Sequence, residues 1–173
     1  PGENALEARV RLAAPAPLIG VGERLRRLFD CGADPGVIAD HLARDRTLAR
    51  QLARAPGVRL PGAWDGFELA VRAVLGQQVS VQAATTLAGR IVERYGVDAG
   101  VDTGLPEGAP RYLFPGPERL MRARFNDMGL IGSRIRSIRE LAKAVASGDL
   151  CLDEGADADE TKTELLKIRG IGA

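Results

Sequence analysis

The sequence has few of the residues that mark most kinds of chemical site. It holds two cysteines, Cys31 and Cys151, with no CxxC and no histidine-rich spacing, so no metal cage can be read from it. Two well-separated cysteines fit a reduced, cytosolic protein. The one histidine, His41, lies mid-helix with no partner motif and reads as a surface or half-buried residue. Lysine occurs at Lys143, Lys162 and Lys167 alone, while arginine, alanine and glycine are abundant, a bias expected of a GC-rich genome. No apolar run approaches the ~18 residues of a spanning helix, and the N-terminus lacks a charged-then-apolar leader pattern. Internal repeats and low-complexity tracts are absent. The net charge of +1 and pI near 8.4 speak neither for nor against a nucleic-acid partner. Any basic face must come from local arrangement.

An apolar fraction of 45% with 27% charged residues suits a soluble globular chain with a core. Ala5 to Ala14 alternates Leu6, Ala8, Val10 and Leu12 with Glu7, Arg9 and Arg11. This predicts a half-buried strand, the remnant of a sheet whose other strands would precede Pro1. After it the pattern is helical. "VGERLRRLFD", "PGVIADHLARD" and "RTLARQLARA" repeat apolar residues every three or four positions, punctuated by Gly, Asp or Pro. In "PGAWDGFELAVRAVLGQQVSVQAATTLAGRIVERYG", Asp65 reads as an N-cap with Glu68 closing a capping box and Trp64 stapling over Leu69. Phe67, Val71, Val74 and Gln78 then share a helical face. Ser80 opens a second helix with the stripe Ala84, Leu87, Ala88, Ile91 and Tyr95. A Gly/Pro-rich loop from Gly96 to Gly116, a short helix from Pro117, a turn at "NDMGL" and a helix near Ser133 to Ser147 follow. The acidic "DEGADADE" leads to a last helix, about Glu160 to Lys167.

The chain closes on "LLKIRGIGA". Gly170 and Gly172 can take φ > 0, so the backbone can reverse tightly with its amides pointing outward. A phosphate oxygen can approach such amides, which grip a nucleic-acid backbone without reading its sequence. A helix that merely ends on a Schellman glycine accounts for the same residues.

Taken together, "FELAVRAVLGQQVSVQAATTLAGRIVERYG", "FPGPERL", "MGLIGSRIRSIRELAKAV" and "LLKIRGIG" resemble, in order and spacing, the helix-hairpin-helix superfamily of DNA base-excision glycosylases. Within it the chain looks most like the 3-methyladenine DNA glycosylase II branch. The resemblance runs from about Ile19 to Ala173. It implies an all-α fold truncated at both ends, with residues 1–14 the remnant of an N-terminal β-domain and 15–173 an incomplete helical glycosylase domain. Seven or eight helices are expected, with apolar surface uncovered or shared with another chain on those between Ile19 and Arg54.

The implied activity is excision of alkylated purines from double-stranded DNA by hydrolysis of the N-glycosidic bond, in the bacterial cytoplasm at the nucleoid. In such glycosylases an essential Asp follows the hairpin, so that residue is expected beyond Ala173. Asp153, Asp157 and Asp159 come too early and suit a helix cap. Gln78 matches the residue inserted where the target base has left; it also suits a helix-end amide bonded to the following turn. Gly170 and Gly172 match the phosphate-binding amides. The carbonyls of Leu166, Ile168 and Ile171 match those that hold a monovalent cation, Na+ or K+. No other cofactor, membrane or obligate protein partner is implied. Lys167 and Arg169 flank the hairpin and add charge, or simply solvate a helix end. Arg134, Arg136 and Arg139 share an arc that suits either a salt-bridged outer face or a DNA groove. A non-catalytic DNA-binding module and an endonuclease III-like lyase, with an amine nucleophile after the hairpin, are the alternatives.

Overall fold

The computed structural model describes residues 5–10, 18–99, 110–153 and 155–172. The chain forms two compact units, Pro1–Trp64 and Asp65–Ala173. Eight helices occur among the described residues.

The first unit holds α1 (Leu18–Leu28), α2 (Pro35–Leu42) and α3 (Arg46–Arg54). Both α2 and α3 begin at an aspartate. Asp34 accepts from the Gly36 and Val37 amides at 2.8 and 3.3 Å, and Asp45 from Thr47 and Leu48 at 2.8 and 2.9 Å. Each such cap is worth ~1 kcal/mol. None of the three helices has a buried residue, and Ile19, Val37 and Leu48 are exposed, as expected for an uncovered apolar face. His41 lies in the last turn of α2 and is exposed. Trp64 carries the Arg24 guanidinium over its ring, 5.4 Å from the centroid.

In the alternating segment before these helices, the described residues form no ladder. Residues 5–10 are unpaired and exposed, while 11–14 lie outside the described residues. Alternation alone cannot hold a strand, because its amides and carbonyls need a neighbouring strand.

The second unit holds α4 (Gly66–Gly76), α5 (Val81–Tyr95), α6 (Pro117–Met121), α7 (Gly132–Ser147) and α8 (Ala158–Lys167). Between α5 and α6, within the segment read as plain loop, β1 (Val97–Asp98) pairs antiparallel with β2 (Tyr112–Leu113). Asp65, Ser80 and Asp157 cap their helices, accepting from Glu68, Ala83 and both Asp159 and Glu160 amides. The Glu68 carboxylate accepts from Arg72 Nε at 2.7 Å.

The core gathers Phe67, Val71, Val74 and Leu75 of α4, Leu87, Ala88 and Ile91 of α5, and Ile138, Leu141 and Ala142 of α7. Leu120 of α6 and Phe125, Leu150 and Ile168 of the connecting segments close it. Helix α7 packs against both α4 and α6, which makes it the backbone of this unit.

Arginines fix the segment that joins α6 to α7. Arg139 donates to the Ala123 carbonyl at 2.8 Å, Arg94 to Asn126 at 2.9 Å and Arg90 to Met128 at 3.0 Å. The forked guanidinium suits this task, since carbonyls without a helical partner would otherwise be desolvated unpaired.

Candidate nucleic-acid interface

Two turns of the second unit come together: the one after α4 and the one after α8. Helix α8 stops at Lys167 because Ile168 turns extended (φ −78°, ψ 121°) and buries its side chain in the core. The chain then reverses. The Ile171 amide donates to the Ile168 carbonyl at 3.0 Å, with Gly170 at φ +86° between them. Gly172 follows at φ +113°. A Schellman ending would need a left-handed residue directly after the cap, and Arg169 is not left-handed. The glycines thus belong to a separate reversal beyond the helix.

Arg169 donates its N–H to Glu140 Oε2 at 3.1 Å, and Ile171 donates into the turn. The Gly170 and Gly172 amides meet no acceptor among the described residues. These are the two amides that the sequence pattern marks for phosphate. A side chain at either glycine is strained by the positive φ. A Cβ on Gly170 would lie 2.7 Å from Ser137 Oγ, and one on Gly172 would lie 2.5 Å from Leu166 Cδ2.

Lys167 is exposed and its ammonium pairs with the Glu164 carboxylate. Leu166 is in the last turn of α8, so its carbonyl is one of four without an intrahelical partner. The Ile168 carbonyl accepts from the Ile171 amide, which leaves its second lone pair.

Gln78 is not on the face of α4 with Phe67, Val71 and Val74. The helix ends at Gly76, and Gln78 stands in the turn beyond, exposed, at φ +55°. Gln77 (φ −60°, ψ 123°) and Gln78 follow the pattern of a type II turn, whose second central residue is normally glycine or asparagine. For any other residue the left-handed region costs roughly 1–2 kcal/mol.

The two turns are bonded together. Gln77 Nε2 donates to the Gly170 carbonyl at 2.8 Å. From α7, Arg134 donates to the Val74 and Gln77 carbonyls at 3.2 and 2.6 Å, and buried Ser137 donates to the Arg169 carbonyl at 2.6 Å. The recess between the turns has a volume of about 470 Å³ and is lined by Gln77, Gln78, Arg134, Ser137, Gly170 and Gly172, with Ile131 and Ser133. It contains no carboxylate and no lysine.

The sequence pattern gives Gln78 and the glycines but not Gln77, Arg134, Ser137 or Glu140. Arg134 and Arg139 serve backbone carbonyls, and neither reads as part of a salt-bridged outer face once those contacts are seen. A serine amid the apolar positions of α7 is the one signal that could have marked Ser137. Asp157 is a helix cap, as its position suggests.

Residues 71–169 match the HhH-GPD superfamily of base excision DNA repair proteins. The chain belongs to this superfamily. Residues 1–65 match the AlkA N-terminal domain. A probable bifunctional transcriptional activator/DNA repair enzyme AlkA from Mycobacterium tuberculosis is 39% identical over 149 residues, 86% of this chain and 29% of the relative. DNA-3-methyladenine glycosylase 2 of Escherichia coli is 33% identical over 153 residues, 86% of this chain and 50% of the relative. The chain thus spans half or less of the length of these relatives. Among solved structures, the 3-methyladenine DNA-glycosylase of Archaeoglobus fulgidus shares the fold with a TM-score of 0.67 at 24% identity, over 90% of this chain and 52% of that one. Among the described residues no helix is long and apolar enough to cross a membrane, and no His/Cys/Asp/Glu cluster could hold a metal ion.

Proposed function

We propose that the chain is the DNA-engaging part of a base-excision repair glycosylase that flips alkylated purines of the 3-methyladenine type and hydrolyses their N-glycosidic bond. The observation that carries this reading is the juxtaposition of two outward turns. One bears a left-handed Gln78, the other two partnerless glycine amides, and Gln77 bonds them together. Membership of the superfamily and the likeness to DNA-3-methyladenine glycosylase 2 support the choice of reaction.

In this reading the Gly170 and Gly172 amides hold a backbone phosphate, with Lys167 adding positive charge nearby. The Leu166, Ile168 and Ile171 carbonyls hold Na+ or K+. Their fit rests on donor chemistry: peptide oxygens are hard ligands, and the negative end of the α8 dipole favours a cation there. Such an ion supplies a positive charge that a DNA phosphate can share. Gln78 fills the gap left by the extruded nucleotide, offsetting part of an unstacking cost of a few kcal/mol. The recess offers no acid and no amine nucleophile, so the chain by itself is expected to dock DNA without cleaving the glycosidic bond.

Two measurements test this. Purified chain should bind an abasic-analogue duplex more tightly than the matched intact duplex at one fixed salt concentration. Gln78→Ala should lower that preference by about 1 kcal/mol while hardly changing affinity for the intact duplex. Equal weakening on both duplexes would make Gln78 a structural cap. Separately, the chain should release no 3-methyladenine from methylated DNA, and release at an enzymatic rate would demand a catalytic carboxylate within these residues.

A further inference from the structure

We propose that Arg134 is a positioning residue that holds the Gln77–Gln78 turn in its left-handed form. Its bearing on DNA rests on the wedge reading of Gln78.

The turn has little to keep it in place. No bond from the Val79 amide to the Gly76 carbonyl closes it among the described residues, and the bond that ends α4, from the Gln77 amide to the Val74 carbonyl, is long at 3.4 Å. Gln78 occupies a backbone region that glutamine leaves readily when nothing prevents it. Arg134 supplies a restraint from outside. Its Nε donates to the Val74 carbonyl and its Nη2 to the Gln77 carbonyl, one in the last turn of α4 and one immediately before Gln78. Two donors fixed in one plane set the orientation of both peptide groups, which a single point charge cannot do. They also put positive charge at the negative end of α4.

Nothing else competes for this guanidinium. Arg134 is half-buried and has no ion pair among the described residues. Its helix also controls the second turn, because Ser137 and Glu140, one and two turns along α7, bond the carbonyl and amide of Arg169. One face of α7 therefore sets the wedge turn and the hairpin against a common support. Gln77, held at its carbonyl by Arg134 and at its side chain by Gly170, is the link.

The test compares Arg134→Met and Arg134→Lys in the purified chain, each checked for folding by circular dichroism. The first readout needs no DNA. In 15N-labelled protein, the HN–Hα coupling and amide exchange of Gln78 report its φ and its protection. Arg134→Met should move both, and Arg134→Lys should restore them only in part. The second readout is the ratio of affinities for abasic-analogue and intact duplexes. It should fall about fivefold in Arg134→Met, with no further fall when Gln78→Ala is added.

A folded Arg134→Met chain whose Gln78 keeps its left-handed coupling overturns the proposal. So does equal weakening on both duplexes with Gln78 unmoved, the mark of a phosphate contact. If Gln78 moves while the affinity ratio stays constant, Arg134 positions the turn but Gln78 is not the wedge. Should Arg134→Met fail to fold, Arg134→Lys, which keeps the charge and the aliphatic stem, carries the same two comparisons.

Discussion

Replacing Gly170 with alanine puts two separable costs on one position. The first is conformational: φ is +86°, and a β-carbon there costs roughly 1–2 kcal/mol. The second is steric. The new methyl would lie 2.7 Å from Ser137 Oγ, a hydroxyl that cannot swing aside freely because it donates to the Arg169 carbonyl. Ser137 is only 3% exposed, so displacing it disturbs its bonds to both the Arg169 and the Ser133 carbonyls, at about 1–3 kcal/mol. Gly170→Ala should therefore destabilise the second unit by about 2–5 kcal/mol, measured by urea unfolding with helical ellipticity as the signal. In a Ser137→Gly background the steric part has no target, and the same substitution should cost only the conformational part, about 1–2 kcal/mol. A cycle in which Gly170→Ala costs the same in both backgrounds, or less than about 0.5 kcal/mol in the wild type, would refute the packing of α7 against the hairpin.

Gly172→Asp should weaken binding to damaged and intact duplexes alike, by tenfold or so, because it brings strain, bulk and negative charge to the phosphate site; Gly172→Ala, which adds no charge, should lose less in the same titration. Asp157→Ala should cost ~1 kcal/mol in unfolding free energy, as expected for loss of the acceptor that serves the Asp159 and Glu160 amides.

Most of the helical framework was legible because its signals are local. Asp65, Ser80 and Asp157 were readable as caps or helix starts from their own neighbours, and the stripes on α5 and α7 follow from their period. The misreadings share a cause, which is dependence on distant partners. Residues 5–10 alternate correctly and still form no strand, since a ladder needs a second strand. The β1–β2 pair is two residues deep, too short for any period to show. At the site, Gln78 and the glycines were visible as a motif, but what holds them was not. Arg134 lies some sixty positions from the carbonyls it binds, and Gln77 over ninety from Gly170, so chain spacing carried no trace of either bond.

The inward use of arginine also bears on ionic strength. Log affinity for duplex DNA falls with log salt by about 0.9 for each phosphate that a protein cation neutralises. Arg90, Arg94, Arg134 and Arg139 are committed to carbonyls of their own chain, so they add little to that count. In the proposed binding mode the hairpin would grip with neutral N–H groups, which displace few condensed counterions. In that mode the chain should hold DNA with a shallower salt dependence than its 24 basic side chains imply.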